Sequence, residues 1–308
     1  PEPQPQLSDS GSGGGDGGGD GGGSCPFIYS FDGNNYYKEH ESYPMSFVYD
    51  LEKSSYSLLK NLKIVNGSLI VKLSEEDENE VSFTNLVELW EIVTDYKYIY
   101  PDLDGSLIGF DSLIPIDHSY ITHKNEEYFV YEFEKKGDNL NLLFNIIANR
   151  YGSYKIKNDQ PSLVEDYFEK YDSIYVDIWN GKKWFTQKKI FAGLQLSSNV
   201  PVNIDLKDID LDIIKVRLRM NQNSYTINSA NYDYPESHKR INRKTLKPNE
   251  AILYSDSKQT NVKSLIMNDD GLYLIEEFDD YTVIGFKPKI NNEKNIYIIK
   301  IKGHYSFT

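Results

Sequence analysis

Two kinds of side chain in this sequence could hold a ligand: paired aromatic rings and closely spaced acids. Trp179 and Trp184 flank an Asn180-Gly181 pair, so a tight turn there would set two indoles side by side. On an exposed hairpin such rings stack on sugar faces. Packed inward they are core, and the neighbours Tyr175 and Phe185 favour the core reading. Tyr232 and Tyr234, in NYDYPE, form a second aromatic pair with the same two readings. Asp102, Asp104 and Asp111, in PDLDGSLIGFD, have the outline of a calcium loop. The D-x-D-x-D-G spacing with its late Glu is absent, and a hairpin turn accounts for Asp104-Gly105 without an ion. The sequence requires no cofactor, and calcium is the single candidate.

The remaining candidates are weaker. Asp117, His118 and His123 form the densest His/Asp group, but a spacing of five puts the two imidazoles on opposite faces of a strand. His40 stands between Glu39 and Glu41 in a solvated acidic turn. Cys25 is the one cysteine, next to Pro26 and Phe27 with no basic cluster near it, which suits a small core residue rather than a nucleophile. Glycoside hydrolysis needs two carboxyl groups flanking the bond, and no sequence feature singles out a pair among 47 acids. The G-x-S-x-G, G-x-G-x-x-G and Walker patterns are missing. No catalytic residue is assigned.

The elements that must position these residues are strands. Asp-Gly or Asn-Gly pairs at 32-33, 66-67, 104-105, 180-181 and 270-271 each lie between apolar or aromatic runs, which predicts five hairpin turns. In DIIKVRLRM, Ile214, Val216, Leu218 and Met220 share one face, and Lys215, Arg217 and Arg219 the other. One helix is expected after Pro161, where Ser162 and Glu165 make a capping box and Val164, Tyr167, Phe168 and Tyr171 follow at helical spacing. Residues 140–150 fit a helix face and a strand face equally by period.

Composition limits the partners. With 33 basic and 47 acidic residues the net charge is −14, which opposes binding to nucleic acid or to anionic membrane. No apolar run reaches the length of a membrane-spanning helix. Residues 1–24 are almost devoid of apolar side chains and rich in Gly, Ser and Asp, the composition of a flexible tether or assembly arm. Because residue 1 is Pro, a mature form from which a signal peptide has been removed is expected.

SCPFIYSFDGNNYYKE at 24–39, YPDLDGSLIGF at 100–110, IYVDIWNGKKWF at 174–185 and the closing YIIKIKGHYSF together resemble a poorly characterised bacterial family of secreted or lipoprotein-like proteins. That resemblance implies an extracellular or cell-surface location and a strand over 140–150, and it brings no established activity. Cys25 follows Gly-Gly-Ser and is not itself a lipidation site. The W-N-G-x-x-W hairpin makes the second half look like a jelly-roll module of the discoidin-like and carbohydrate-binding kind, an analogy of fold.

The expectation is therefore a mainly β protein: two β-sandwich-like modules, over 25–136 and 137–308, with one short helix, behind the arm of residues 1–24. The expected function is non-catalytic, in contact with other surface proteins or copies of itself. A carbohydrate-binding module for polysaccharide and an extracellular hydrolase are the alternatives.

Overall fold

The computed structural model describes residues 26–41, 53–117, 119–123, 126–148, 173–190, 197–221, 224–236, 238–289 and 295–307. The N-terminal arm, Cys25, His118 and the expected helix at 162–171 lie outside the described residues. The chain begins with β1 (Phe27–Phe31), β2 (Tyr36–Glu41), β3 (Lys53–Leu59), β4 (Leu69–Ser74) and the long β5 (Glu80–Thr94). It continues with β6 (Tyr98–Pro101), β7 (Leu107–Phe110), β8 (Ile114–Pro115), β9 (Ser119–His123), β10 (Glu126–Glu134) and β11 (Asn139–Ala148). Then come β12 (Ile174–Trp179), β13 (Trp184–Ile190), β14 (Ser197–Asp205), β15 (Ile213–Asn221) and β16 (Tyr225–Asp233). It closes with β17 (Ile241–Leu246), β18 (Glu250–Ser255), β19 (Lys258–Asn261), a 3-10 turn (Lys263–Leu265), β20 (Leu274–Glu276), β21 (Tyr281–Phe286) and β22 (Ile296–Phe307). The expected class is found: the described chain is nearly all β, in antiparallel sheets that suit a β-sandwich-like fold.

The chain forms two compact units, and the second is inserted into the first. Val93–Asn242 makes one unit, while Glu52–Ile92 and Arg243–Thr308 join the first strands in the other. The boundary expected at 136/137 is thus not the one drawn by packing. It falls between β10 and β11, yet Tyr131 and Phe144 from these strands meet at 5.5 Å in one core. What the sequence presents there as a module break is a change of sheet.

In the inserted unit, a five-stranded sheet (β13-β12-β15-β10-β9) and a four-stranded sheet (β14-β11-β16-β8) share one core. Ile214, Val216, Leu218 and Met220 of β15 enter it together with Ile174, Val176 and Ile178 of β12. From the other sheet come Leu140, Leu142, Phe144 and Ile146 of β11 and Val200, Val202 and Ile204 of β14. Each such side chain contributes about 1.5–3 kcal/mol on burial. The other unit has a six-stranded sheet (β19-β18-β21-β4-β1-β2) and a sheet ordered β17-β5-β22-β3. Leu69, Val71 and Leu73 of β4 and Ile298, Ile299 and Ile301 of β22 are among its buried residues.

β11 explains why the period of 140–148 reads two ways. Its core face carries Leu140, Leu142, Phe144 and Ile146. Its other face lies beneath the β6–β7 hairpin, where Leu143 packs with Ile108 and Phe110. A strand covered on both faces loses polar/apolar alternation. Asn141 stands on that covered face, its Nδ2 donating to the Gly109 carbonyl at 2.8 Å while Asn203 Nδ2 donates to its Oδ1 at 2.6 Å.

All five glycines of the Asp-Gly and Asn-Gly pairs have positive φ. At 66-67 both central residues do (φ 49° and 78°) between the bridged Val65 and Ser68, the geometry of a two-residue turn whose twist matches the strands. The pair at 270-271 departs from expectation. Met267 and Leu274 on its two sides both pair with β5, so it caps an excursion along one edge instead of joining two paired strands.

Asn141→Ala should leave the Gly109 carbonyl unpaired under the hairpin and cost about 1–3 kcal/mol, measured by urea denaturation.

Candidate functional site

The side chains best arranged to bind lie on the outer face of the five-stranded sheet in the inserted unit. Alternation sends Lys215, Arg217 and Arg219 of β15 outward, opposite the core residues. The register then builds rows across the face. Arg219 lies between Tyr128 of β10 and Tyr175 of β12, and Arg217 lies between Val130 and Asp177. A β-bulge between β12 and β13 completes the arrangement. Val176 pairs with Lys188 but Asp177 pairs with Thr186, so Gln187 is the extra residue. This shift of phase turns Phe185 toward the core and leaves Trp184 outward, paired with Trp179.

Asp177 organises the face. It is 1% exposed and accepts four hydrogen bonds: from Arg217 Nε (3.0 Å) and Nη2 (2.6 Å), Arg219 Nε (3.1 Å) and Thr186 Oγ1 (2.7 Å). Burial pushes its carboxyl up, but the bonds from Thr186, Arg217 and Arg219 outweigh burial and hold it below the ordinary 3.8. The guanidinium groups, fixed in this way, lie on rings. Arg217 is 4.5 Å from the Trp184 ring and 4.9 Å from the Tyr128 ring, and Arg219 is 4.3 Å from that of Tyr175. Tyr128 donates to Glu126 at 2.5 Å, and Arg219 pairs with Glu126 at 3.5 Å. The two indoles are tilted at 59° with centroids 5.6 Å apart.

The sequence-derived candidates separate. Trp179 and Trp184 are half-buried on the outer face, not in the core favoured by their neighbours. Tyr232 and Tyr234 belong to the core rim: Tyr232 packs edge-on to Phe133 at 5.2 Å and to Tyr234 at 6.2 Å, and the Tyr234 hydroxyl donates to the Glu134 carbonyl at 2.5 Å. No ring contact among the described residues joins the two pairs. The three acids do not converge either. Asp102 and Asp104 sit on the β6–β7 turn, and Asp111 follows the far end of β7, about 13 Å away at strand rise. Buried Asp102 is paired with Lys188, Asp104 accepts the Ser106 amide at 2.8 Å, and Asp111 is paired with Lys239. Among the described residues no three His, Cys, Asp or Glu form a group that could hold a metal ion. The side chain of His123 lies outside the description.

The face offers rings, guanidinium groups and a carboxylate already saturated with donors. It can stack and hydrogen-bond, but Asp177 is poorly placed to move a proton. A carboxyl pushed upward occurs in the other unit, where Glu276 is 0% exposed and presents no surface to a substrate. Arg217 and Arg219 could be placed outward from the sequence. Asp177, Tyr128 and Glu126 could not be joined to them, because cross-strand register over such separations leaves no local signal.

No family model matches the chain, and no curated protein matches it significantly in sequence. Among solved structures it is similar to the GH31 α-xylosidase of Xanthomonas citri, at 9% identity and a TM-score of 0.20. The match covers 90% of this chain and 25% of the xylosidase, so this chain spans a quarter of that enzyme. It is also similar to the Sulfolobus Turreted Icosahedral Virus structure (10% identity, TM-score 0.19, 90% of this chain and 98% of that one). A third similarity is to an archaeal-virus triple jelly roll of the turret assembly (10%, 0.19, 90% and 97%). Scores this low carry no argument about activity.

Asp177→Asn should lower stability by about 3–5 kcal/mol at pH 7, because two arginines lose a buried partner. The folded carboxyl titrates below 3.8, so its contribution is present above that value and is lost as pH falls through the lower folded value. Urea midpoints of the two proteins should therefore converge below pH 3.8.

Proposed function

We propose that this is a non-catalytic contact protein, with the outer face around Arg217 docking on another protein or on a second copy of the chain. The observation that supports this most is the Trp184–Arg217–Tyr128 stack fastened by Asp177. Trp, Tyr and Arg dominate the energetics of protein interfaces. Arginines already locked in place lose little freedom on binding, so more of the contact energy appears as affinity. Locally the face balances Arg217 and Arg219 against Asp177 and Glu126, within a chain of net charge −14, as suits the centre of an interface. A secreted or cell-surface setting, with a lipid anchor upstream, belongs to the same reading and rests on the composition of residues 1–24 and on the motif resemblance. So does a jelly-roll assignment of the units.

Sedimentation of the full chain over a concentration series tests self-contact. A reversible dimer is expected, weakened about 30-fold or more by Arg217→Ala, as for a central interface residue. A chain that stays monomeric at millimolar concentration would remove the second copy as partner.

A second reading is supported by the tilted, half-buried Trp179/Trp184 pair at a hairpin tip: a polysaccharide stacking on these indoles. In a glycan array it predicts binding that Trp184→Ala abolishes. Binding unchanged by that substitution, or no binding at all, would remove it.

A further inference from the structure

The unit formed by β1–β5 and β17–β22 contains a carboxyl group that nothing in the proposed contact function uses. Glu276, the last residue of β20, is 0% exposed, and neither of its oxygens has a hydrogen-bond partner among the described residues. It ends a strap, residues 266–280, laid along one edge of β5. At one end Ile266 is fully buried, its carbonyl accepts the Val87 amide at 2.9 Å, and Met267 bridges to Leu86. At the other end Leu274, Ile275 and Glu276 pair with Thr84, Phe83 and Ser82. Between these attachments the chain makes the excursion through Asp270-Gly271. The strap turns apolar side chains to solvent, with Leu272 53%, Ile275 49% and Phe278 43% exposed, while it buries an acid.

The groups around that acid come from three further elements. Glu75, after β4, takes hydrogen bonds from the Ser82 hydroxyl of β5 and from the Asp77 amide. Asp280 lies in the turn that leads from the strap into β21, a turn bonded to the Glu75 backbone on both sides. Thr282 of β21 is buried nearby without a well-formed hydrogen bond. His304 stacks on Phe83 at 4.8 Å, on the other face of the sheet from Ser82 and Glu276. Burial raises the Glu276 carboxyl from 4.5 to about 8, with the Glu75 and Asp280 charges acting in the same direction and the Thr282 hydroxyl against it. Both charges that act on it are negative, so the docked strap favours the protonated acid.

We propose that residues 266–280 form a proton-operated clasp: protonated Glu276 keeps β20 docked on the β5 edge, and loss of that proton sends the carboxylate to water and lifts β20 from residues 82–84. The freed acid ionises at its ordinary value, near 4.5, and the docked one only near 8. Docking is therefore strongest below 4.5, weakens about tenfold per pH unit through the interval, and levels off above 8. In the open state the unpaired β5 edge at residues 82–84 and the buried Leu274 of the strap become free together.

Hydrogen exchange of the full chain, read in peptides covering 272–278 and corrected for intrinsic rates, tests the clasp. In the wild type, protection of the β20 amides is expected to fall about tenfold per unit between pH 5 and 7.5. In Glu276→Gln it should be independent of pH, while β12 peptides behave alike in both proteins. An equal slope in both proteins, or a flat wild type, overturns the proposal. Because the Gln variant could misfold, carboxyl-carbon NMR of the wild type supplies a second reading. One glutamate titrating near pH 8 supports the clasp, and all glutamates titrating below pH 6 overturn it.

Discussion

A pleated strand has two faces and two edges, and whatever is taken from water must be covered by something else. This constraint organises the whole molecule. β15 buries one face and leaves the other to carry Lys215, Arg217 and Arg219. β11 buries both over residues 140–144, which requires the β6–β7 hairpin as a lid and Asn141 as the polar link beneath it. β5 is covered along one edge by β22 and along the other by β17 and the short β20. Where cover is brief, as at the three residues of β20, the sheet has its weakest seam.

The same constraint treats two buried acids in opposite ways. Asp177 accepts four hydrogen bonds, three of them from the guanidinium groups of two arginines, so it stays ionised and serves as the fixed point of a surface. Glu276 has negative neighbours and, among the described residues, no well-formed hydrogen bond, so it keeps its proton. Neither behaviour follows from residue type. What separates them is the strand opposite: two arginines projecting outward in one case, and in the other Ser82, whose hydroxyl is already donated to Glu75.

Local signals in the sequence carried much of the fold and little of the site. Asn180-Gly181 marks a true hairpin, joining the paired β12 and β13, while Asn66-Gly67, with φ > 0 at both residues, makes a two-residue turn closed by the single Val65–Ser68 bridge. The alternation of DIIKVRLRM likewise states which side chains leave the core. The failures have one cause. Trp184 reads as core until the bulge at Gln187 changes the phase of β13, and no residue type announces a bulge. Asp270-Gly271 looks like a hairpin until a third strand, β5, pairs with both flanks. The cut expected at 136/137 fails because a change of sheet and a change of unit look the same to a single strand.

The two ends of the segment Val93–Asn242 are tied to each other: Thr94 Oγ1 and the Asp95 amide both reach the Arg240 carbonyl, at 3.1 and 3.2 Å, and the Arg240 amide returns to Asp95 at 3.1 Å. The two ends are thus already neighbours, and among the described residues β6 to β16 pair only with one another. The host unit depends on later strands: β5 waits for β17, β20 and β22, all of which follow the insert. During synthesis the second unit can close while β1 to β5 are still an unfinished half-sandwich. The early strands must then stay soluble for about ten seconds or more at ribosomal speeds before their partners arrive.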